Sequence, residues 1–396
     1  MTESELLKLR GSISAIDQEL IQIFAKRRQL SLKVAEAKYK ANRDIRDFEQ
    51  EKNLLTNLTK EGLDSGIPVN TTLSLFHNII EDSVRAQYDY FLEQELNSPN
   101  KKIHVALLGE KDSYSHIATE NHFSRKLHNV RLTHCSSFIE IFQHVSNDSV
   151  DIGLVPIENT TSGNITEVFD LLLEYDLNII GEEKLKVKHC LIATHNASLD
   201  KITDVYSHPQ AIAQCKSFFS ENPRINSHYR SSTSSAMKMI DEYQNPQLAA
   251  IGSEQAAQRY GLKVLKYGIN NYQENYTRFL LISKSPITVP EKVPAKTSIV
   301  INTEQKAGAL VECLLILKEH QINMTKLESR PIPTQPWKEM FYIDFEGNIK
   351  DSNVDSALMK LTAVAHHIKV IGCYPKHDII ATKLDVEHIK HQEKTA

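Results

Sequence analysis

Apolar residues recur at helical spacing along the first forty positions, with Leu9, Ile13, Ile16, Leu20, Phe24 and Leu32 on one stripe. Neither Gly nor Pro occurs between residues 12 and 61, so the pattern predicts an unbroken helix over residues 4–40, about 36 residues long. At 1.5 Å per residue this rod is ~54 Å long, more than a compact segment of ~95 residues can cover. Its stripe therefore needs a partner helix, most simply its own copy in a second chain. Gly11 falls just inside the rod, at up to ~1 kcal/mol relative to Ala.

The texture changes along the chain. Residues 1–96 read as three helices, and a polar, Pro-containing linker follows at 97–102. Beyond it, buried strands are expected at 103–108, 152–155, 248–251 and 279–282. Helical stretches at 165–174, 211–219, 235–243 and 254–260 separate them. This alternation predicts a two-lobed α/β domain over 103–284. A second linker, 285–294, contains three prolines. Residues 297–375 then read β (298–303), α (309–320), β (322–328), β (340–345), α (354–366), β (368–373), which is the ferredoxin-like βαββαβ plan. A charged tail, 376–396, completes the sequence.

Charge and composition exclude several classes. The 46 Lys and Arg against 50 Asp and Glu leave a net charge of −4, with no electrostatic case for nucleic acid or an anionic membrane. Five scattered cysteines without a Cys-x-x-Cys pair argue for free thiols in a reducing cytosol. No signal-peptide run and no ~20-residue apolar stretch is present, so a soluble cytoplasmic protein is expected. The 17 histidines are scattered; His366 and His367 adjoin a predicted strand and His388 and His391 lie in the tail. No metal site is expected from them. Neither a Gly-x-Gly-x-x-Gly motif nor a Walker loop occurs, and no cofactor is expected.

The polar positions of the first segment point to a ligand. Arg27 and Lys38 are eleven residues apart and share a helix face ~16 Å apart, whereas Arg10 lies ~25 Å from Arg27 and is rotated by ~100°. Arg10 can reach a ligand held by Arg27 only from a second chain. Asp47 and Glu51, and Ser83 and Gln87, are i,i+4 pairs on the other helices. Such a set suits a small polyhydroxylated dianion. Leu9-Arg10, Ile13-Ser14-Ala15-Ile16-Asp17, Arg27-Arg28, Ala37-Lys38 and Ile80-Glu81-Asp82-Ser83-Val84 resemble the all-helical chorismate mutase domain of the bifunctional chorismate mutase/prephenate dehydratase family, the P-proteins. The resemblance implies an intertwined helical dimer that rearranges chorismate to prephenate. It assigns Lys38 and Gln87 to the breaking ether oxygen, Arg27 and a second chain's Arg10 to the carboxylates, Asp47 and Glu51 to the ring hydroxyl, and Ser83 to a carboxylate. Such a site acts by holding the reactive conformer and by stabilising developing negative charge. Gln50 stands where the family often has an arginine, which leaves open a weak mutase domain kept for dimerisation.

In the second domain, polar clusters follow strands and open helices: Ser113-Tyr-Ser-His116, Pro156-Ile-Glu-Asn-Thr-Thr-Ser-Gly163, Ser207-His-Pro-Gln210, Ser231-Ser-Thr-Ser-Ser235 and Gly252-Ser-Glu254. Helix N-termini in such places offer free N–H groups to carboxylates. With Asn275-Tyr-Thr277-Arg278-Phe279, these motifs resemble prephenate dehydratase over nearly all of 103–284. The resemblance implies loss of water and CO₂ from prephenate to give phenylpyruvate, with Thr277 as donor to the departing hydroxyl. Asn159, Thr160, Ser207 and Gln214 would orient substrate, Gln210 and Gln214 sharing one helix face. Arg278 would pair with a carboxylate or be structural.

In the third domain, Gly308-Ala309-Leu310-Val311 opens a helix and Glu328-Ser329-Arg330-Pro331 closes a strand. Both resemble the phenylalanine-binding motifs of ACT regulatory domains in this family. Gly308 would permit close backbone approach, and the helix N-terminus would take the ligand carboxylate. The expectation is a multidomain isomerase and lyase of phenylalanine biosynthesis, at least a homodimer, inhibited by phenylalanine. A catalytically dead amino-acid sensor is the alternative, and the intact motif around Thr277 argues against it.

Overall fold

The computed structural model describes residues 3–96, 102–124, 129–304, 306–332, 339–379 and 381–382. Most of the expected first linker, and the tail beyond 382 with His388 and His391, lie outside these residues. The chain divides into two compact units. One joins Met1–Pro99, Thr288–Pro294 and Asp378–Ala396, and the other joins Asn100–Ile287 and Ala295–His377. The third predicted domain therefore shares a compact unit with the second.

The first unit is helical: α1 (Glu3–Lys40), α2 (Phe48–Asp64) and α3 (Val69–Leu96). Acidic residues open α1 and Lys38 and Lys40 close it, both favourable to the helix dipole. Asp47 caps α2 by accepting from Gln50 N at 3.0 Å. Ala35, Ile45, Leu55, Val84 and Phe91 form its core. Every residue of α1 from Glu3 to Lys26 is exposed, including Leu9, Ile13, Ile16, Leu20 and Phe24 of the predicted stripe.

The second unit begins with a six-stranded sheet. Its elements are β1 (Ile103–Leu108), α4 (Tyr114–His122), β2 (Val130–Cys135), α5 (Phe138–Ser146), β3 (Ile152–Asn159), β4 (Gly163–Asn164), α6 (Thr166–Glu174) and β5 (Asn178–Lys186). A second sheet comprises β6 (Cys190–Ala193), β7 (Asp204–Ser207), β8 (Asn226–Tyr229), β9 (Leu248–Gly252) and β10 (Lys263–Lys266), in the order β10-β6-β9-β7-β8. Between these strands run α7 (Pro209–Ala213), α8 (Lys216–Glu221), α9 (Thr233–Tyr243) and α10 (Glu254–Arg259). The chain then returns as β11 (Tyr276–Ser283), which inserts between β3 and β5 of the first sheet. Two strands of chain thus join the lobes, one before β6 and one after β10.

The single helix expected over 211–219 is two helices. Asn271 takes the carbonyl of Gln214 through its backbone N–H at 2.7 Å and that of Ala213 through its side chain at 3.2 Å. Asn271 Oδ1 also accepts from Ser217 N at 2.9 Å, in place of the helical bond from Ser217 to Ala213.

The remaining elements are β12 (Ala295–Asn302), α11 (Ala309–Glu319), β13 (Met324–Pro331), β14 (Glu339–Glu346), α12 (Ser352–Val364) and β15 (His367–Pro375). Their βαββαβ order is the one read from the sequence, and the sheet runs β13-β14-β12-β15. β13 extends three residues past the predicted end because Ser329, Arg330 and Pro331 still pair with β14. At Gly372, β15 lies so close to β5 that a Cβ would collide with the Ile179 carbonyl. Gly308 adopts a left-handed φ of +84°, and a Cβ there would meet no atom of the chain. Among the described residues no helix is long and apolar enough to cross a membrane.

Candidate active sites

A cavity of about 780 Å³ in the second unit receives both β-strand ends and helix N-termini. Ser113 caps α4 by accepting from His116 N, and Ser232 and Ser235 cap α9 reciprocally. His208 caps α7 through Nδ1. Ser113, Ser232 and His208 line the cavity, with Asn159 from β3, Gln210 and Gln214 from the α7 region, and Thr277 from β11. Ser253 caps α10 but is not part of the lining. Among the described lining residues there is no Lys or Arg. A dianion here would meet hydroxyls and the N–H ends of α4 and α9 rather than side-chain cations.

Backbone groups fix the orientation of the polar side chains. Asn159 Oδ1 accepts from the N–H groups of Thr161 at 2.9 Å and Ser162 at 3.0 Å, and its Nδ2 donates to the Tyr276 carbonyl at 3.0 Å. The amide can sit only one way round. Its two Nδ2 hydrogens are therefore shared among that carbonyl, Thr277 Oγ at 3.0 Å and Asn275 Oδ1 at 2.8 Å, and the contact with Thr277 runs from the amide to the hydroxyl oxygen. Gln214 Nε2 must donate to Asn159 Oδ1, at 3.3 Å, so Gln214 Oε1 faces His189 Nε2 at 2.9 Å. His189 then carries its proton on Nε2, and Tyr114 donates to Nδ1 at 2.8 Å. Burial drives His189 down to about 4 against its bond to Gln214 and raises the Tyr114 phenol. The result is a one-way series of donors, Tyr114 to His189 to Gln214 to Asn159 to Thr277.

The helical unit holds a second polar cluster. Arg27 donates to Ser83 Oγ and to the Ile79 carbonyl, 3.3 Å away. Gln87 Nε2 donates to the Ser83 carbonyl at 3.3 Å and Ser31 Oγ at 3.4 Å, leaving its buried Oε1 without a partner among the described residues. Lys38 donates to the Ile45 carbonyl; burial lowers its pKa, opposed by Asp47, Glu51 and Asp44. Glu51 is paired with Arg46. Arg10 is exposed.

Residues 105–287 match the prephenate dehydratase family, and residues 9–88 match type II chorismate mutase. The chain is 41% identical to the bifunctional chorismate mutase/prephenate dehydratase of Enterobacter agglomerans, covering 96% of this chain and 98% of that protein. Its counterpart in Escherichia coli strain K12 is 40% identical over the same shares of each chain. The chain belongs to the bifunctional chorismate mutase/prephenate dehydratase family. It is an isomerase and a lyase of aromatic amino-acid biosynthesis, with chorismate and prephenate as substrates. A solved prephenate dehydratase from Arthrobacter aurescens, in complex with L-Phe, is 25% identical with a TM-score of 0.63, covering 74% of this chain and 98% of that one.

Asn159, Gln214 and Thr277 all line the cavity of the second unit. Thr160 is exposed and bonds the Glu274 carbonyl at 3.1 Å. Ser207 is fully buried and donates to the Ile251 carbonyl at 2.9 Å; neither residue lines the cavity. Arg278 leaves β11 on the face opposite Thr277. Its guanidinium meets Glu182 at 2.8 Å, Asp344 at 2.7 Å, Glu158 at 3.1 Å and Tyr374 Oη at 3.0 Å. The partnership of Tyr114 with His189, 75 residues apart, has no local sequence signal, and Arg46 was also missed beside Glu51. Cys135, Glu140 and His144 place potential ligand atoms within 4.8 Å of one another. Burial holds that thiol up at about 11 and Ser136 occupies Glu140, which disfavours a metal there.

Proposed function

We propose that Thr277 is the donor to the departing ring hydroxyl of prephenate, and that Lys38 and Gln87 act on the breaking ether bond of chorismate. The observation that carries the first part is the bond from Asn159 Nδ2 into Thr277 Oγ. An oxygen that already accepts aims its own proton elsewhere and is a stronger donor for it. As the substrate's C–CO₂ bond breaks, its electron pair enters the ring and the hydroxyl leaves. Hydrogen bonding from Thr277 stabilises that leaving oxygen, which departs as water with a proton from solvent. The N-termini of α4 and α9 hold the substrate carboxylates. Asn159 and Gln214 orient Thr277, and Arg278 is structural.

In the mutase site Arg27 and Ser83 bind one carboxylate, and Asp47 and Glu51 meet the ring hydroxyl. Lys38 and Gln87 stabilise charge on the ether oxygen. A second copy of the chain supplies Arg10. The exposed stripe of α1, with Leu9 at 54%, Ile13 at 58% and Ile16 at 56% accessibility, supports a homodimer built on that helix. Mixing chains carrying Arg10→Ala with chains carrying Lys38→Ala tests this. Partial recovery of mutase turnover in the hybrids is expected, and hybrids as inactive as their parents would refute the shared site.

The βαββαβ segment acts as an ACT domain that binds phenylalanine and inhibits the enzyme. Residues 308–311 and 328–330 form the ligand site between paired copies. Arg330 grips Asp170 of α6 at 2.9 and 2.8 Å, and Lys326 reaches Glu158 at 2.6 Å. A ligand that shifts β13 would thus bear on the strand that carries Asn159. Calorimetric titration with phenylalanine checks the binding.

A further inference from the structure

Thr382 follows the last strand in sequence but belongs to the helical unit. It is 8% exposed. Its hydroxyl accepts from Arg46 Nη2 at 3.0 Å and donates to Glu51 Oε2, and its carbonyl meets His77 Nε2 at 3.1 Å. Arg46, seated over the Phe48 ring, grips the same carboxylate through Nε at 3.0 Å from Oε1 and through Nη2 to Oε2. Glu51 is therefore held from two sides: a guanidinium fixes the plane of the carboxylate, and a hydroxyl fills another lone pair. A carboxylate offers about four such positions, so one remains for a further donor. Burial opposes ionisation of Glu51, but the bonds from Arg46 and Thr382, together with the charges of Arg46 and Lys38, hold it below the usual carboxylate range.

We propose that Thr382 is a positioning residue of the mutase site, whose hydroxyl sets the Glu51 carboxylate so that its remaining lone pair meets the ring hydroxyl of chorismate. This rests on the reading of Glu51 given above. A segment that plugged the site would engage the groups that hold the substrate carboxylates. Among the described residues Thr382 bonds to Arg46, Glu51 and His77, and to neither Arg27 nor Lys38. It forms a wall of the hydroxyl-binding end and does not engage Arg27 or Lys38.

The test is steady-state kinetics on the full-length enzyme. Thr382→Val keeps the shape and removes the hydroxyl; KM for chorismate is expected to rise about three- to tenfold, the worth of one ordinary hydrogen bond. The contact is equal in ground and transition states, so kcat stays close to the parent's. Thr382→Ser restores KM, and in a Glu51→Gln background Thr382→Val adds nothing further. Three outcomes overturn the proposal: an unchanged KM, a lowered KM (which would mark an inhibitory plug), or a fall in kcat and thermal midpoint with KM unmoved (a packing contact). The Glu51→Gln variant alone separates the two readings. If it turns over chorismate as the parent does, the role of Glu51 is wrong. If its KM rises while Thr382→Val is silent, only the role of Thr382 is wrong.

Discussion

Asn159 and Thr277 stand opposite each other in the antiparallel register of β3 and β11, and the Asn159 amide donates to the Thr277 hydroxyl oxygen at 3.0 Å. Among the described residues the Thr277 hydroxyl has no acceptor for its own proton. In the proposed mechanism, the direction of this one bond makes Thr277 a donor aimed at the cavity.

Reversing that direction should be more damaging than removing bulk. In Asn159→Asp the carboxylate has no N–H to give and would take the Thr277 proton instead. The expected result is a fall in dehydratase kcat of about 10²- to 10³-fold, with mutase turnover of chorismate unchanged. Parallel kinetics with the two substrates decide it, since a dehydratase kcat within threefold of the parent's would show that the direction does not matter.

His189 links this site to pH. Its folded-state pKa of about 4 lies below the ordinary value near 6.5. The unfolded chain therefore binds a proton between those values while the folded chain does not. Stability attributable to His189 is intact above pH 6.5 and declines as pH falls toward 4, by up to about 3 kcal/mol. Chemical denaturation at pH 7 and pH 4.5 should show a shallower loss in His189→Gln than in the parent. His189 should contribute no inflection to dehydratase activity between pH 5.5 and 8, because the folded imidazole stays neutral there.

Arg278 adjoins Thr277 in sequence but serves the opposite side of the sheet. It joins Glu182 of β5 and Glu158 of β3 to Asp344 of β14 and Tyr374 of β15. Arg278 and Lys296 hold the Glu182 carboxyl at about 2 against its burial. Its contribution to stability is present above the ordinary carboxylate pKa and lost as pH falls toward 2. Arg278→Ala would strand these carboxylates, lowering the unfolding free energy by about 3–5 kcal/mol. A substrate-binding arginine would instead raise KM for prephenate with stability preserved; urea denaturation alongside kinetics separates the two.

How much of this was legible depended on distance along the chain. The α1 stripe, the capping serines of α4 and α9, and the βαββαβ order are local patterns, and each was readable. The strands β6, β7, β8 and β10, four residues each, are too short for an alternation to emerge. Arg278 finds Asp344 and Tyr374 at separations of 66 and 96 residues, and no local pattern encodes such pairing. The motif placed Arg278 beside Thr277, but strand alternation sent the two side chains to opposite faces. Thr382 is the extreme case, 331 residues from Glu51.

Gln87 offers a separate handle on the proposed mutase site. An amide donates at any pH, whereas a carboxyl donates only when protonated. Gln87→Glu should move mutase activity toward acidic pH, with little activity at pH 8. A pH profile superimposable on the parent's would show that Gln87 does not donate to the ether oxygen.

The most direct test follows chorismate and phenylpyruvate together in Thr277→Ala. Chorismate should disappear at the parent's rate while prephenate accumulates in equal amount and phenylpyruvate formation falls by about 10³-fold or more. Phenylpyruvate formed at near the parent's rate would contradict the placement of Thr277 at the departing hydroxyl.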